Sequence, residues 1–114
     1  YVQLMNKKKN DNYQKEVFLN ILRSIHKNPH SSQRDLAENL GISLGKLNYL
    51  IQSLTKKGLI KIKNFSKSER KINYIYVLTP EGLRSKIDLT MKFMQIKIKE
   101  YDDLKNEINN QRHN

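Results

Sequence analysis

Cysteine is absent from the 114-residue chain, which excludes disulfides, a thiolate zinc site and a cysteine nucleophile. Acidic side chains are scarce: 11 Asp and Glu face 22 Lys and Arg, a net charge of +11. No apolar run approaches the ~18 residues of a membrane span, and no stretch has the order of a secretory signal peptide. Neither a glycine-rich phosphate loop nor a serine–histidine–aspartate arrangement is present. His26 and His30 have the four-residue spacing of two metal ligands on a helix. Pro29 lies between them and breaks that helix, however, and no third ligand is near. His113 lies in the tail, and Glu100, Asp102, Asp103 and Glu107 read as a solvated helix face. No catalytic group, metal or cofactor is expected. A hydrophobic fraction of 37% supports a small core, which suits a binding module better than an enzyme with a deep cleft.

The positive charge is unevenly placed. Residues 1–80 hold 15 Lys and Arg against 5 Asp and Glu, whereas residues 81–114 hold 7 and 6. Such an excess favours a polyanionic partner, either nucleic acid or an anionic membrane surface. The 17 Lys against 5 Arg also fit the codon bias of an AT-rich genome, but that bias would raise Glu as well, and Glu is not raised.

Residues 1–12 are polar and basic without periodicity, and are expected to form a disordered basic arm. Met5, followed by Asn6-Lys7-Lys8-Lys9-Asn10, reads as a natural start, which would leave residues 1–4 as an expression remnant. From Tyr13 the apolar residues Val17, Phe18, Ile21, Leu22 and Ile25 recur at steps of three and four, predicting a helix that ends at Asn28-Pro29. Ser32 caps a second helix with the stripe Leu36, Ala37 and Leu40, and Gly41 stops it. Ser43 caps a third, which buries Leu47, Leu50, Ile51 and Leu54 and ends at Gly58. The period then changes from about 3.6 to 2. Residues 59–65 and 72–78 read as two strands joined by a polar loop over 66–71. Thr79-Pro80-Glu81 opens a last helix, with threonine as cap and proline at the first helical position; it runs to about residue 109.

The order helix, helix, glycine turn, helix, basic hairpin is that of a winged helix-turn-helix. The expected fold is mainly α with a small β-hairpin: a DNA-binding domain over 13–79, a long dimerisation helix over 80–110 and a frayed tail over 111–114. In such a domain the third helix enters the major groove by its N-terminal end. Its outward residues are Ser43, Leu44, Gly45, Lys46, Asn48, Tyr49, Gln52 and Lys56. Asn48 and Gln52 lie four apart on one face and carry the amides that read adenine bidentately. Tyr49 can stack or donate to phosphate, Lys46 and Lys56 suit phosphates, and Gly45 allows close backbone approach. At the start of the second helix, Ser32, Gln33 and Arg34 are candidate phosphate contacts. In the hairpin, Lys67, Arg70 and Lys71 are candidates for the backbone or the minor groove, with arginine better suited than lysine.

These residues resemble the MarR-type winged-helix regulators of bacteria, and more closely the small branch called EPS-associated transcriptional regulators. The likeness covers roughly residues 14–108. Its most specific pieces are Gly41 to Tyr49 and Leu78-Thr79-Pro80-Glu81-Gly82. The resemblance implies a cytoplasmic, homodimeric DNA-binding regulator linked to exopolysaccharide gene clusters. Typical members are longer, with extra terminal helices building the dimer, so here the last helix would do that work. Its seam reads Ile87, Met91, Met94, Ile98, Tyr101 and Ile108, with Lys105 as the one lapse and Leu104 flanking. This stripe zips against a second copy, folds back onto the first helix, or is shared between the two, since the first helix is itself only partly buried by the motif. The partners expected are double-stranded DNA and a second subunit, without a membrane, and no residue names a small-molecule effector. The alternatives are a winged helix used for RNA or protein contacts and a basic protein at a membrane surface.

Overall fold

The computed structural model describes residues 2–68 and 71–113, with side chains at 10–63 and 74–112. Four helices and one hairpin follow in the order α1 (Val2–Lys27), α2 (Gln33–Leu40), α3 (Leu44–Lys56), β1 (Ile60–Ser68), β2 (Lys71–Leu78) and α4 (Pro80–His113). The mainly helical architecture with its antiparallel pair β1–β2 is the winged-helix arrangement anticipated.

The core lies where α1, α2 and α3 meet the base of the hairpin. Ile21, Leu22 and Ile25 of α1 pack with Leu36 and Ala37 of α2, Leu47, Leu50, Ile51 and Leu54 of α3, Ile60 of β1 and Tyr76 of β2. All four α3 residues expected to face inward are buried. Val17 and Phe18 are only partly buried, and Tyr13, read as the start of the apolar face, is exposed.

Three boundaries differ from the sequence reading. The helix begins at Val2, so residues 2–12, expected as a disordered arm, continue α1. Gln3, Leu4, Met5 and three lysines favour a helix, and neither glycine nor proline interrupts the run. At the other end α4 reaches His113, beyond the expected frayed start at 111. The strands are also longer. β1 extends through Ser68 and β2 starts at Lys71, with an irregularity between Ser66 and Ser68, so Ser66, Ser68 and Lys71 of the expected loop over 66–71 are paired. Backbone pairing needs no apolar alternation, and a polar hairpin end gives none.

The base of α4 is fixed to the end of α3. The Thr79 hydroxyl donates to the Gly58 carbonyl and accepts from Gly82 N–H at 3.0 Å, while Thr79 N–H donates to the Leu59 carbonyl at 3.1 Å. Gly82 is buried against that same backbone. A Cβ there would overlap the Leu59 carbonyl oxygen and lie 3.0 Å from its carbon. Glycine in the Leu-Thr-Pro-Glu-Gly segment is thus demanded by close approach rather than by an unusual φ.

Further along, α4 packs on α1. Phe93, 8% exposed, and Leu19, 4% exposed, are buried here, with Leu89 half-buried alongside. Lys97 pairs with Glu16 at 3.8 Å, and Lys86 lies 2.8 Å from His26 Nδ1. Lys15 crowds Lys92. Desolvation, then a hydrogen bond and charge repulsion from Lys15, hold the Lys92 ammonium below the usual lysine range, with Asp11 opposing. From Lys97 to Arg112 every residue is exposed.

Candidate nucleic-acid interface

The helix-turn-helix is built from local signals that agree. Ser32 Oγ accepts from Asp35 N–H at 3.1 Å, and Ser43 Oγ from Lys46 N–H at the same distance, so each serine satisfies one of the open donors at its helix start. Between them Gly41 takes φ of 68°, the left-handed conformation that reverses the chain at low cost. Gly41 N–H then donates to Glu38 and Ile42 N–H to Ala37, closing α2. A Cβ at Gly41 would meet nothing within 4 Å, so the requirement there is the dihedral alone. Ala37 is buried in the core that α2 shares with α3, where a small side chain lets the helices approach.

Burying Leu47, Leu50, Ile51 and Leu54 turns the rest of α3 outward. Ser43, Leu44, Gly45, Lys46, Asn48, Tyr49, Gln52 and Lys56 are all exposed, as the 3.6-residue period requires. Unlike Gly41, Gly45 has neither a positive φ nor any atom that a Cβ would meet. Lys46 holds its ammonium 5.3 Å from the Tyr13 ring centroid, joining the N-terminal end of α3 to α1. The ammonium of Lys57 lies 4.7 Å from the Phe18 ring centroid.

The amides of this face are joined. Gln52 Nε2 donates to Asn48 Oδ1 at 2.9 Å, Asn48 Nδ2 to Gln33 Oε1 at 3.2 Å, and Gln33 Nε2 to the Tyr76 hydroxyl at 2.7 Å. Gln33, grouped by sequence with the phosphate contacts, therefore has its amide engaged between β2 and α3. Tyr76 was legible only as a strand residue. Its hydroxyl reaches Gln33 across 43 positions, and no spacing rule marks such a pair. Ser32 and Arg34 are exposed at the start of α2, Ser32 as the cap. Arg70 lies outside the described residues, as do the side chains of Lys67 and Lys71.

The seam residues of α4 divide from its packed face. Ile87, Met91, Met94, Ile98, Tyr101, Leu104 and Ile108 are all exposed, whereas Phe93 and Leu89 face α1. At 100° per residue Met94 lies about 100° from Phe93 and Leu104 about 20° from it, so the two stripes adjoin, and Met94 and Ile98 line the cleft between α4 and α1 with Phe93 and Leu19. α4 thus packs on α1 mainly through Phe93, a position the heptad reading missed because one strong period conceals a weaker one.

Residues 19–61 match the family model described as winged helix-turn-helix DNA-binding. The chain is 33% identical over 85 residues to an uncharacterized protein of Methanocaldococcus jannaschii; the match covers 75% of this chain and 26% of that protein, so the chain spans about a quarter of its relative. Among solved structures, a point mutant of Staphylococcus aureus MepR matches with a TM-score of 0.68 at 19% identity, covering 96% of this chain and 85% of that one. A second MepR point mutant, bound to an oligodeoxyribonucleotide, matches at 0.61 and 20% identity, covering 96% and 84%. Staphylococcus aureus MarR, in complex with salicylate and kanamycin, matches at 0.60 and 17% identity, covering 99% and 85%. Residues 19–61 are thus similar to winged helix-turn-helix DNA-binding domains, and the chain has the fold of the solved MepR and MarR structures.

Proposed function

We propose that this chain is a sequence-specific, double-stranded DNA-binding transcription regulator acting as a homodimer in the cytoplasm. The observation that carries the reading is the outward face of α3. There Asn48 and Gln52 stand hydrogen-bonded side by side, between Lys46 at one end of the helix and Lys56 at the other. Helices with such faces read base edges in the major groove, and asparagine and glutamine amides pair bidentately with adenine. Gly45 leaves room for the backbone to approach the duplex. Lys46, Lys56 and Tyr49 meet phosphates, as do Ser32 and Arg34, while Lys67, Arg70 and Lys71 bring the wing to the adjacent backbone or minor groove. The MepR variant solved with an oligodeoxyribonucleotide supports DNA as the partner. The seven seam residues of α4 join two subunits across a two-fold axis, which suits a near-palindromic site with half-sites about one DNA turn apart. Control of exopolysaccharide genes follows from the resemblance alone, and genomic footprinting tests it.

The deciding experiment is binding to duplex DNA from the protein's own upstream region, against RNA of matched sequence and unrelated duplex. The reading expects preference for the upstream duplex, relaxed base preference in Asn48→Ala, and uniform weakening in Lys67→Ala. Equal affinity for all three nucleic acids would refute it.

A further inference from the structure

The amide chain that starts at the base of the wing ends on the reading face. Tyr76 is 6% exposed, held in the core, and its hydroxyl oxygen accepts from Gln33 Nε2. Gln33 passes the link to Asn48, and Asn48 to Gln52. We propose that Tyr76 and Gln33 are positioning residues for base discrimination: without touching a base, they lock the amides of Asn48 and Gln52 into one relative orientation. The inference rests on the reading role proposed above for those two amides.

The physical argument concerns rotation. An amide pairs with adenine bidentately only when its oxygen and its NH2 face the matching groups, and a half-turn swaps donor for acceptor. The terminal torsion of an exposed Asn or Gln is broad and roughly two-fold, so an isolated amide samples both orientations. Here a half-turn of Asn48 alone would set its NH2 against the Gln52 NH2 and its oxygen against the Gln33 oxygen, losing both hydrogen bonds at once. A half-turn of Gln33 alone would set its NH2 against the Asn48 NH2 and lose that bond, while the Tyr76 hydroxyl, donor as well as acceptor, could still pair with the Gln33 oxygen. Without losing bonds the amides can reverse only together, with the phenol turning from acceptor to donor, and the buried phenol fixes where the chain ends. Each amide keeps a second N–H and a second lone pair for a base. The link also makes the base of the wing and the reading helix one mechanical unit, since it joins β2, α2 and α3.

The test is Tyr76→Phe, which keeps the buried ring and removes the hydroxyl. Preferred sites for the wild-type protein are first selected from randomised duplexes, and affinities are then measured for those sites and their single-base variants. Tyr76→Phe should lose about three- to tenfold in discrimination, a part of what a bidentate amide pair supplies. The loss should fall at the positions that Asn48→Ala also flattens, with affinity for unrelated duplex unchanged. In an Asn48→Ala background Tyr76→Phe should add nothing, because the effect travels through Asn48. Gln33→Ala should reproduce the loss, which keeps the test decisive if the tyrosine variant folds poorly. The side-chain amide resonances of Asn48 in the free protein should shift in both variants. If the wild-type protein discriminates and Tyr76→Phe and Gln33→Ala discriminate equally well, the positioning role is refuted and the reading role stands. A loss of equal size in the Asn48→Ala background also refutes it. A wild-type protein with no base preference overturns the reading role itself, and this inference with it.

Discussion

Ile98→Lys tests the role of the outer face of α4. Ile98 sits between Met94 and Tyr101 in the seam and is 56% exposed, outside the buried core. Full burial of an isoleucine is worth about 1.5–3 kcal/mol, and roughly half remains to be gained when the seam closes, so each subunit would lose about 1–1.5 kcal/mol. A two-fold interface counts every substitution twice, giving about 2–3 kcal/mol. Two ammonium groups brought near the axis add a little more, softened because lysine can extend its head to solvent, for a total of about 2–4 kcal/mol. The dimer dissociation constant should therefore rise about 30- to 1,000-fold. Sedimentation equilibrium from one to a hundred micromolar reads this directly, and the urea midpoint of the variant's folded domain serves as the control. Lys105→Leu, which fills the lapse in the same seam, should tighten the dimer. A wild-type protein that stays monomeric at tens of micromolar refutes the reasoning, as does an Ile98→Lys protein that dimerises like the wild type.

Two glycines of α4 and α3 should respond oppositely. Gly82→Ala forces a methyl into the Leu59 carbonyl and should destabilise the fold by about 1–3 kcal/mol or more in urea unfolding. Gly45→Ala meets no atom and should leave stability unchanged or raise it by at most about 1 kcal/mol. The same Gly45 substitution should weaken DNA binding, because the methyl lies on the face that approaches the duplex. Affinity for DNA should fall steeply with salt, and Lys46→Ala and Lys56→Ala should each reduce the logarithmic slope by about one. Fluorescence anisotropy at several salt concentrations measures both, and a flat response would remove these lysines from the phosphate contacts.

What was legible in the sequence was local. Ser32, Ser43 and Gly41 each act within four residues, so cap and turn geometry follow from residue type and spacing, and the structure has all three as expected. The buried face of α3 follows from the 3.6-residue period for the same reason. The face of α4 that carries Phe93 was not legible, because the stronger stripe from Ile87 to Ile108 satisfied the periodicity first. Residues 2–12 carry no apolar period, and their helix rests on propensity and on continuation from α1. The link from Tyr76 to Gln33 joins residues 43 apart and depends on how the hairpin docks against α2, which only the assembled core determines.

The two faces of α4 bear on how two reading heads can be spaced. The start of α4 is fixed to the hairpin base by Thr79 and Gly82, and its inner face to α1 through Phe93 and Leu19. Tyr13 of α1 in turn lies under Lys46 of α3. The direction of α4 relative to α3 is therefore set inside each subunit, and the separation of two α3 helices depends on how the outer stripes cross. A 34-residue helix is about 51 Å long. Two such helices paired antiparallel over their full length would put their starts about 51 Å apart, near one and a half DNA turns, which places the second head on the wrong side of the duplex. Pairing near the start of the seam, or side by side with the starts together, brings the heads closer. Each subunit is 27–30 Å across its two shorter axes, close to the ~34–36 Å of one turn. Half-sites one turn apart thus require contact at Ile87, Met91 and Met94, whereas a dimer joined mainly through Tyr101, Leu104 and Ile108 in antiparallel overlap would need a longer site. The half-site spacing of the bound DNA is therefore a direct measure of which end of the seam closes.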